Sequence, residues 1–220
     1  MPFCLYADSE AVLEPTTHGQ NVKGAFNKHK ICAIGFYFHS NFDNIIPSKY
    51  MSYRGANADM WSAREMEKLI NEINFALKNI NNPPLLTPQE YEDFKNSTTC
   101  YLCKNGFSPE NPKIIEHCHL SGKFRGNSCT KCNLKLRKQY LLPIIFHCFS
   151  SYDSHLVIHD ISKAIRGKIS VLAKNSETYL NMKIKVPKTK VHLNFIDSFH
   201  FLSSSLDTLA SYLPDQHKEI

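Results

Sequence analysis

The hydrophobic pattern of this 220-residue chain predicts strands interleaved with helices. Short apolar runs between polar or turn-forming residues are typical of strands, whereas apolar residues spaced three or four apart are typical of helices. The expected strands cover residues 3–7, 31–38, 50–53, 140–147, 169–173, 178–186 and 190–196. Helices are expected from 62 to 80, from 87 towards 98, from about 153 to 164 and from 203 to about 213. This alternation favours an α/β sheet.

Two of the helix starts carry capping signals. Ser62 and Glu65 have the spacing of a capping box, and Thr87 precedes a proline at a first helical position. We assign the first of these helices to packing rather than to chemistry.

A stretch with two Cys-x2-Cys pairs interrupts the sheet pattern between residues 98 and 138. The pairs are Cys100 with Cys103 and Cys129 with Cys132. Two such turns offer four thiolates to one tetrahedral centre, which is the arrangement that zinc prefers. The sequence therefore predicts one structural zinc ion. The alternatives are disulfides or four unrelated buried thiols.

Further chemistry lies beside the cysteine pairs. Glu116, His117, Cys118 and His119 stand between the pairs, and Asn133 follows the last cysteine. An imidazole next to a carboxylate and an amide could bind a hard cation and activate a water molecule. In the alternative, Glu116 and the two histidines only brace the zinc fold or contact DNA.

The net charge of +6 is unevenly placed. No acidic residue occurs between Glu116 and Asp153, and a second acid-free interval, residues 178–196, holds four lysines. Basic patches of this kind suit a polyanion, although an ordinary solvated face also explains the second interval. The residues of the first interval that we expect to contact DNA phosphates are Lys123, Arg125, Lys131, Lys135, Arg137 and Lys138.

The composition also indicates the cellular compartment in which the protein is expected. No apolar run reaches the roughly 18 residues of a membrane span, so none is expected. No signal or transit peptide is expected either. Four cysteines have metal spacing and the other four are scattered, which favours a reducing compartment such as the nucleus or cytoplasm.

A pair of carboxylates follows the first predicted strand. Asp8 and Glu10 are two residues apart, so in an extended chain both face the same side. Carboxylate pairs at strand ends commonly hold divalent metals. Acids at strand ends are also common without any metal.

The order acid-His-x-His followed by Cys-x-x-Cys-Asn resembles recombination endonuclease VII and the wider His-Asn-His nucleases. The resemblance implies a ββα unit around the metal. It implies His117 as the base that activates water, Glu116 and Asn133 as ligands of a catalytic cation, and His119 beside the phosphate.

Three further segments resemble family B DNA polymerases. Residues 2–15 (PFCLYADSEAVLEP) are similar to their first exonuclease motif, and residues 141–161 (LLPIIFHCFSSYDSHLVIHDI) to the second motif of protein-primed members. Residues 191–213 are similar to the strand and helix that follow. The zinc stretch lies between the first two motifs, as in polymerases of Polinton/Maverick-like transposable elements and related viruses.

This second resemblance implies a ribonuclease-H-like mixed sheet, built from residues 1–97 and 139–220 and interrupted by the zinc module at 98–138. It implies that Asp8, Glu10 and Asp153 hold two Mg²⁺ or Mn²⁺ ions for 3′–5′ exonuclease chemistry. It also places Cys148 and Tyr152 beside single-stranded DNA, with Cys148 where the family has asparagine. The third exonuclease motif and the polymerase palm are expected beyond Ile220, so we expect no polymerase activity and weak exonuclease activity.

Three functions are therefore open. The chain is the exonuclease portion of a polymerase that replicates a mobile or viral element, or a zinc-stabilised endonuclease VII-like nuclease, or a non-catalytic DNA-binding remnant. The expected partner is DNA, either branched or with a single-stranded 3′ end, and the polymerase hypothesis adds a terminal priming protein.

Overall fold

The computed structural model describes residues 2–15, 27–136, 140–154, 161, 165–175 and 179–217. It divides into two compact units, one formed by Met1–Ile70 with Leu141–Ile220 and the other by Asn71–Tyr140. The strands are β1 (Phe3–Pro15), β2 (Asn27–Ser40), β3 (Lys49–Arg54), β4 (Lys113–His117), β5 (Phe124–Cys129), β6 (Tyr140–Phe146), β7 (Lys168–Ala173), β8 (Tyr179–Lys185) and β9 (Val191–Asp197). The α-helices of the described part are α1 (Ala58–Asn79), α2 (Pro88–Asn96), α3 (Thr130–Leu136) and α4 (Leu206–Ser211).

Seven strands form one mixed sheet in the first unit, in the order β3-β2-β1-β6-β9-β8-β7. Consecutive strands pair antiparallel in β1-β2-β3 and again in β7-β8-β9. Strand β6 runs parallel to β1, with Leu5 opposite Ile144 and Tyr6 opposite Ile145. The predicted mixed α/β architecture is confirmed, and β1 lies beside β6. Strands β3, β6, β7, β8 and β9 begin and end within one residue of their predicted bounds.

Strand β1 is much longer than the apolar run that predicts it. Its pairing with β2 continues from Asp8 opposite Gly35 to Pro15 opposite Asn27, with an irregularity after Glu10. Asp8 and Glu10 therefore lie in the middle of a strand, and their predicted position at a strand end is wrong. The polar half of β1 stays extended because the backbone of β2 supplies its hydrogen-bond partners.

Helix α1 covers one face of β2 and β3 in the first unit. Trp61 stacks on Phe36 and on Tyr53, with ring centroids 6.0 Å and 5.6 Å apart. The helix begins at Ala58, because the chain turns into it directly after β3. Ser62 Oγ donates to the Asp59 carbonyl 2.7 Å away within the helix, so the predicted capping box at Ser62 is wrong.

The second unit contains an antiparallel hairpin, β4 and β5, followed directly by α3. This is the ββα order that the endonuclease VII resemblance implies. Helix α2 starts as predicted, since Thr87 accepts a hydrogen bond from the Glu90 N–H and the Glu90 carboxylate accepts one from the Thr87 N–H. Lys113 connects the β4–β5 hairpin to helix α2, because its Nζ donates to the Lys95 and Ser97 carbonyls at the end of α2.

The C-terminal part is only partly described. The helix predicted for residues 153–164 lies mostly outside the described residues, and Asp153 ends a π-helical turn, Phe149–Asp153. Helix α4 is shorter than the predicted 203–213 and has Ser205 as its N-cap. No helix within the described ranges is both long and apolar enough to cross a bilayer.

Candidate metal centre and nucleic-acid interface

The two Cys-x2-Cys pairs come together in the second unit. Cys100 and Cys103 lie in a turn before β4, Cys129 ends β5, and Cys132 is in α3. Their four Sγ atoms all lie within 4.8 Å of one another, and the Cys103 and Cys129 sulfurs are 3.9 Å apart. A zinc ion with Zn–S bonds of about 2.3 Å separates its sulfurs by about 3.8 Å. The four side chains therefore fit a tetrahedral zinc site. All eight cysteines lie in the described part of the chain, and none of them forms a disulfide.

The backbone around Cys100 favours its thiolate. Burial raises the pKa of the Cys100 thiol, but backbone N–H groups of Cys103, Cys129 and Leu102 bind its sulfur and bring the pKa down to about 6. The Cys129 N–H is 3.3 Å from the Cys100 sulfur. Thiolates this close repel one another, so the four thiols ionise together only when a bound cation compensates their negative charge. The donor set is that of a closed structural zinc site, with no position open to substrate.

Glu116 is held on both oxygens by other side chains. It is 4% exposed, the Tyr101 hydroxyl donates to Oε2 over 3.0 Å, and Arg125 Nη1 donates to Oε1 over 3.2 Å. Burial and the bond to Glu116 raise the pKa of Tyr101 to about 12. The ring of Tyr101 also lies against Gly126, where a Cβ would be 2.8 Å from it. This Tyr101–Glu116–Arg125 brace ties the first cysteine turn to the β4–β5 hairpin.

Each carboxylate oxygen of Glu116 therefore has one protein donor. The geometry matches the alternative in which Glu116 braces the zinc fold. Asn133, the other residue suggested for that cation, is buried in the first turn of α3, directly after Cys132.

We expect the brace to have a measurable effect on stability. Tyr101→Phe keeps the ring over Gly126 but leaves Glu116 Oε2 without its donor, which should destabilise the second unit by about 1–3 kcal/mol. Tyr91→Phe is the matched control, because Tyr91 is an exposed tyrosine of α2 in the same unit. Urea unfolding of both variants in zinc-containing buffer measures the difference. Equal midpoints would contradict the brace.

His117 projects from the end of β4 and is fixed by the backbone. Its Nε2 lies 3.1 Å from the Asn82 carbonyl and its Nδ1 3.4 Å from the Ile115 carbonyl. The ring stacks on His119, with centroids 5.0 Å apart and planes inclined by 20°. Both carbonyls are acceptors, so a neutral ring donates to one of them at a time, and the Asn82 carbonyl is the nearer. The pair thus provides an oriented imidazole on the partly exposed side of the hairpin.

Basic side chains surround this hairpin. The exposed ones are Lys123, Arg125, Lys131 and Lys135. Arg125 is half exposed although it pairs with Glu116. Arg137 and Lys138 lie outside the described residues. The described part of the basic interval therefore presents its lysines to solvent, where phosphates can reach them.

The three acids predicted to bind Mg²⁺ in the first unit take different positions. Asp8 and Glu10 are exposed, whereas Ser9 between them is buried and donates a hydrogen bond to the buried carboxylate of Asp153. Burial raises the pKa of Asp153 to about 6, and the charge of Asp8 acts in the same direction. Among the described residues, the four cysteines are the only group of three or more metal-ligating side chains brought together.

The sequence does not single out Asp197, an acid that ends β9 and binds the turn after β6. Asp197 accepts hydrogen bonds from the backbone N–H groups of Cys148, Ser150 and Phe199, and these lower its pKa against the effect of burial. Cys148 adopts a positive φ of 72° in this turn. The Tyr152 side chain, which is expected to contact DNA, lies outside the described set. The signal for Asp197 was its place at the end of an apolar strand before Ser198.

One comparison with known proteins connects these features. The family model of recombination endonuclease VII matches residues 77–173, less than half of the chain. The matched region contains all four cysteines, the Glu116–His119 segment and Asn133. No curated protein and no solved structure matches the chain. The match agrees with the endonuclease VII-like hypothesis and gives no support to the polymerase hypothesis.

Proposed function

We propose that the Asn71–Tyr140 unit is a zinc-held DNA-binding nuclease unit of the recombination endonuclease VII type. The observation that carries this proposal is the convergence of four cysteine sulfurs inside the region that the family model matches. The zinc ion would be held by Cys100, Cys103, Cys129 and Cys132 and would supply folding energy rather than chemistry.

His117 is the group that we assign to catalysis. The base would be the tautomer whose Nε2–H donates to the Asn82 carbonyl, since this bond orients the ring and leaves a lone pair on Nδ1. Glu116, which accepts hydrogen bonds from Tyr101 and Arg125, would hold β4, from whose end His117 projects. Metal-dependent nicking of branched DNA would separate this function from a non-catalytic DNA-binding unit.

DNA binding by this unit would rest on phosphate contacts. The exposed lysines Lys123, Lys131 and Lys135 lie in an interval without acidic residues, which suits the counterion-release mechanism. Arg137 and Lys138 would extend the same surface, and His119 would lie beside the scissile phosphate. Branched DNA is the substrate that the family resemblance suggests.

This prediction has a quantitative form. Replacing Lys123, Lys131 and Lys135 by Gln should weaken duplex binding and reduce the slope of log K against log salt by up to about 0.9 for each lost phosphate contact. The control variant replaces Lys30, Lys68 and Lys95 by Gln and so removes the same amount of charge. These lysines are ion-paired with glutamates, at 3.2, 2.6 and 2.9 Å respectively. Fluorescence anisotropy between low and physiological salt measures both slopes. The surface is refuted if both triple variants retain the wild-type slope.

A second candidate rests on the sheet of the first unit. The parallel pairing of β1 with β6, next to the antiparallel β1-β2-β3 meander, supports a ribonuclease-H-like arrangement. In that candidate the chain carries the exonuclease portion of a family B DNA polymerase, with a terminal priming protein as partner and Mg²⁺ or Mn²⁺ at Asp8, Glu10 and Asp153. These assignments stay predictions. Their test is degradation of end-labelled single-stranded DNA that is lost in Asp8→Ala.

A further inference from the structure

A short segment after helix α1, residues 82–85, holds the loop between β4 and β5. The Asn82 N–H donates to the His119 carbonyl over 2.9 Å, and the side-chain amide of Asn82 donates to the Leu120 carbonyl over 2.6 Å. The carbonyl of Asn82 lies 3.1 Å from Nε2 of His117. We call this segment the clasp. Three polar groups of one asparagine therefore contact a stretch of four residues that begins at the histidine assigned to catalysis.

The other end of the clasp binds the same loop. The Leu85 N–H donates to the Gly122 carbonyl over 2.8 Å, and Leu85 pairs with Lys123 as a parallel bridge. Gly122 has a φ of +76°, and a Cβ there would come within 2.5 Å of the Pro83 carbonyl oxygen. Glycine suits this position, because the left-handed backbone and the close approach both disfavour a side chain. The loop is thus fixed to the clasp at two places.

The sequence Asn82-Pro83-Pro84 explains why a carbonyl is available beside the histidine. Proline disfavours a helical conformation of the residue before it and has no N–H to donate, so the chain cannot continue helix α1, which ends at Asn79. In a continued helix the Asn82 carbonyl would accept the N–H of the residue four positions later. Because the helix has ended, this carbonyl can accept from the imidazole instead.

Two carbonyls compete for the proton of the His117 ring. The Asn82 carbonyl is 3.1 Å from Nε2, and the Ile115 carbonyl is 3.4 Å from Nδ1. Donation to Asn82 leaves a lone pair on Nδ1, whereas donation to Ile115 would occupy Nδ1 with a proton. The two bonds therefore favour opposite tautomers, and the position of the Asn82 carbonyl decides between them.

We propose that Asn82 is a positioning residue for His117 and selects the tautomer in which Nδ1 is the base. This role rests on the nuclease function proposed above. The side-chain amide of Asn82 fixes the loop through Leu120, so the Asn82 carbonyl stays within reach of Nε2. An imidazole released from this carbonyl would turn and exchange tautomers, and it would spend less time in the orientation that takes a proton from water.

The test replaces Asn82 by alanine in the full chain prepared with zinc. Asn82→Ala keeps the carbonyl and the N–H of residue 82 but removes the amide bond to Leu120. Two-bond ¹H–¹⁵N NMR spectra in mildly alkaline buffer show which nitrogen of a neutral His117 carries the proton. We expect Nε2–H in the wild type and a growing share of Nδ1–H in the variant. Nicking of a labelled four-way junction at saturating DNA should slow by about 10- to 100-fold, with little change in KM.

Two further variants separate positioning from general damage. Asn81→Ala is the matched control, because it removes the same amide from the neighbouring exposed residue, and it should match the wild type in spectrum and rate. Gly122→Ala disturbs the clasp from its other side, since its Cβ would meet the Pro83 carbonyl, and it should shift the tautomer in the same direction as Asn82→Ala. Zinc content measured on each variant shows that the unit is folded.

Two results would overturn the proposal. One is a wild-type chain in which Nδ1 of His117 carries the proton. The other is a zinc-containing Asn82→Ala protein whose His117 spectrum and nicking rate equal those of the wild type, while His117→Ala is inactive. Failure of the nuclease function itself gives a different pattern. Nicking would then be absent from the wild type or equally fast in His117→Ala, and this would refute the catalytic role of Asn82 as well, whatever the spectra show.

Discussion

Cys129→Ser is expected to unfold the Asn71–Tyr140 unit and to leave the first unit folded. Cys129 joins β5 to α3, and its backbone N–H also binds the Cys100 sulfur, so its loss removes a zinc ligand at the centre of the unit. Small zinc-held units take much of their folding free energy from the metal, and apparent values of about 10–16 kcal/mol are typical of zinc-finger peptides. The unit should therefore lose its hydrogen-exchange protection altogether.

The chain provides its own reporters for this experiment. Trp61 is the single tryptophan and lies in the first unit between Phe36 and Tyr53, so its emission should stay native in Cys129→Ser. Cys118→Ser is the matched control, because Cys118 lies in the same unit but outside the four-cysteine group. Loss of protection in both variants, or in neither, would count against a zinc-held unit.

His117→Ala is expected to lower the rate of nicking on branched DNA by about 10²- to 10⁴-fold, which is the range for removal of a general base. Zinc content and DNA affinity should change little, because His117 contacts backbone carbonyls rather than the cysteine cluster. The assay follows a labelled four-way junction with Mg²⁺ or Mn²⁺ in the buffer.

Asp8→Ala separates the two nuclease hypotheses in the same assay. Asp8 lies in the first unit, so its replacement should leave nicking unchanged. Activity that survives His117→Ala and disappears in Asp8→Ala would transfer the chemistry to the acids of the first unit and refute the role of His117.

The sequence predicted the features that depend on local spacing. The Cys-x2-Cys pairs predicted the sulfur cluster, the Thr87–Pro88 signal predicted the start of helix α2, and short apolar runs predicted most of the strands. The order β4, β5, α3 followed from the family resemblance. These features depend only on residues close together in the sequence, or on a metal whose geometry fixes the spacing of its ligands.

Long-range pairs could not be predicted in this way. Ser9 binds Asp153 across 144 residues, and this contact depends on β1 continuing past its apolar run to pair with β2. The brace on Glu116 likewise joins three separate positions, Tyr101, Glu116 and Arg125. The carboxylate beside two histidines suggested a cation ligand, and its two protein donors, which lie far along the chain, were not foreseen. Side-chain partners of this kind are decided by packing rather than by spacing.

The most direct test of the account is the zinc content of the purified wild-type chain. Native mass spectrometry with elemental analysis should find one zinc ion per chain when the protein is prepared under reducing conditions without chelators, and none in Cys129→Ser. A wild-type chain that contains no zinc, or whose zinc persists after Cys100, Cys103, Cys129 and Cys132 are all replaced by serine, would contradict it.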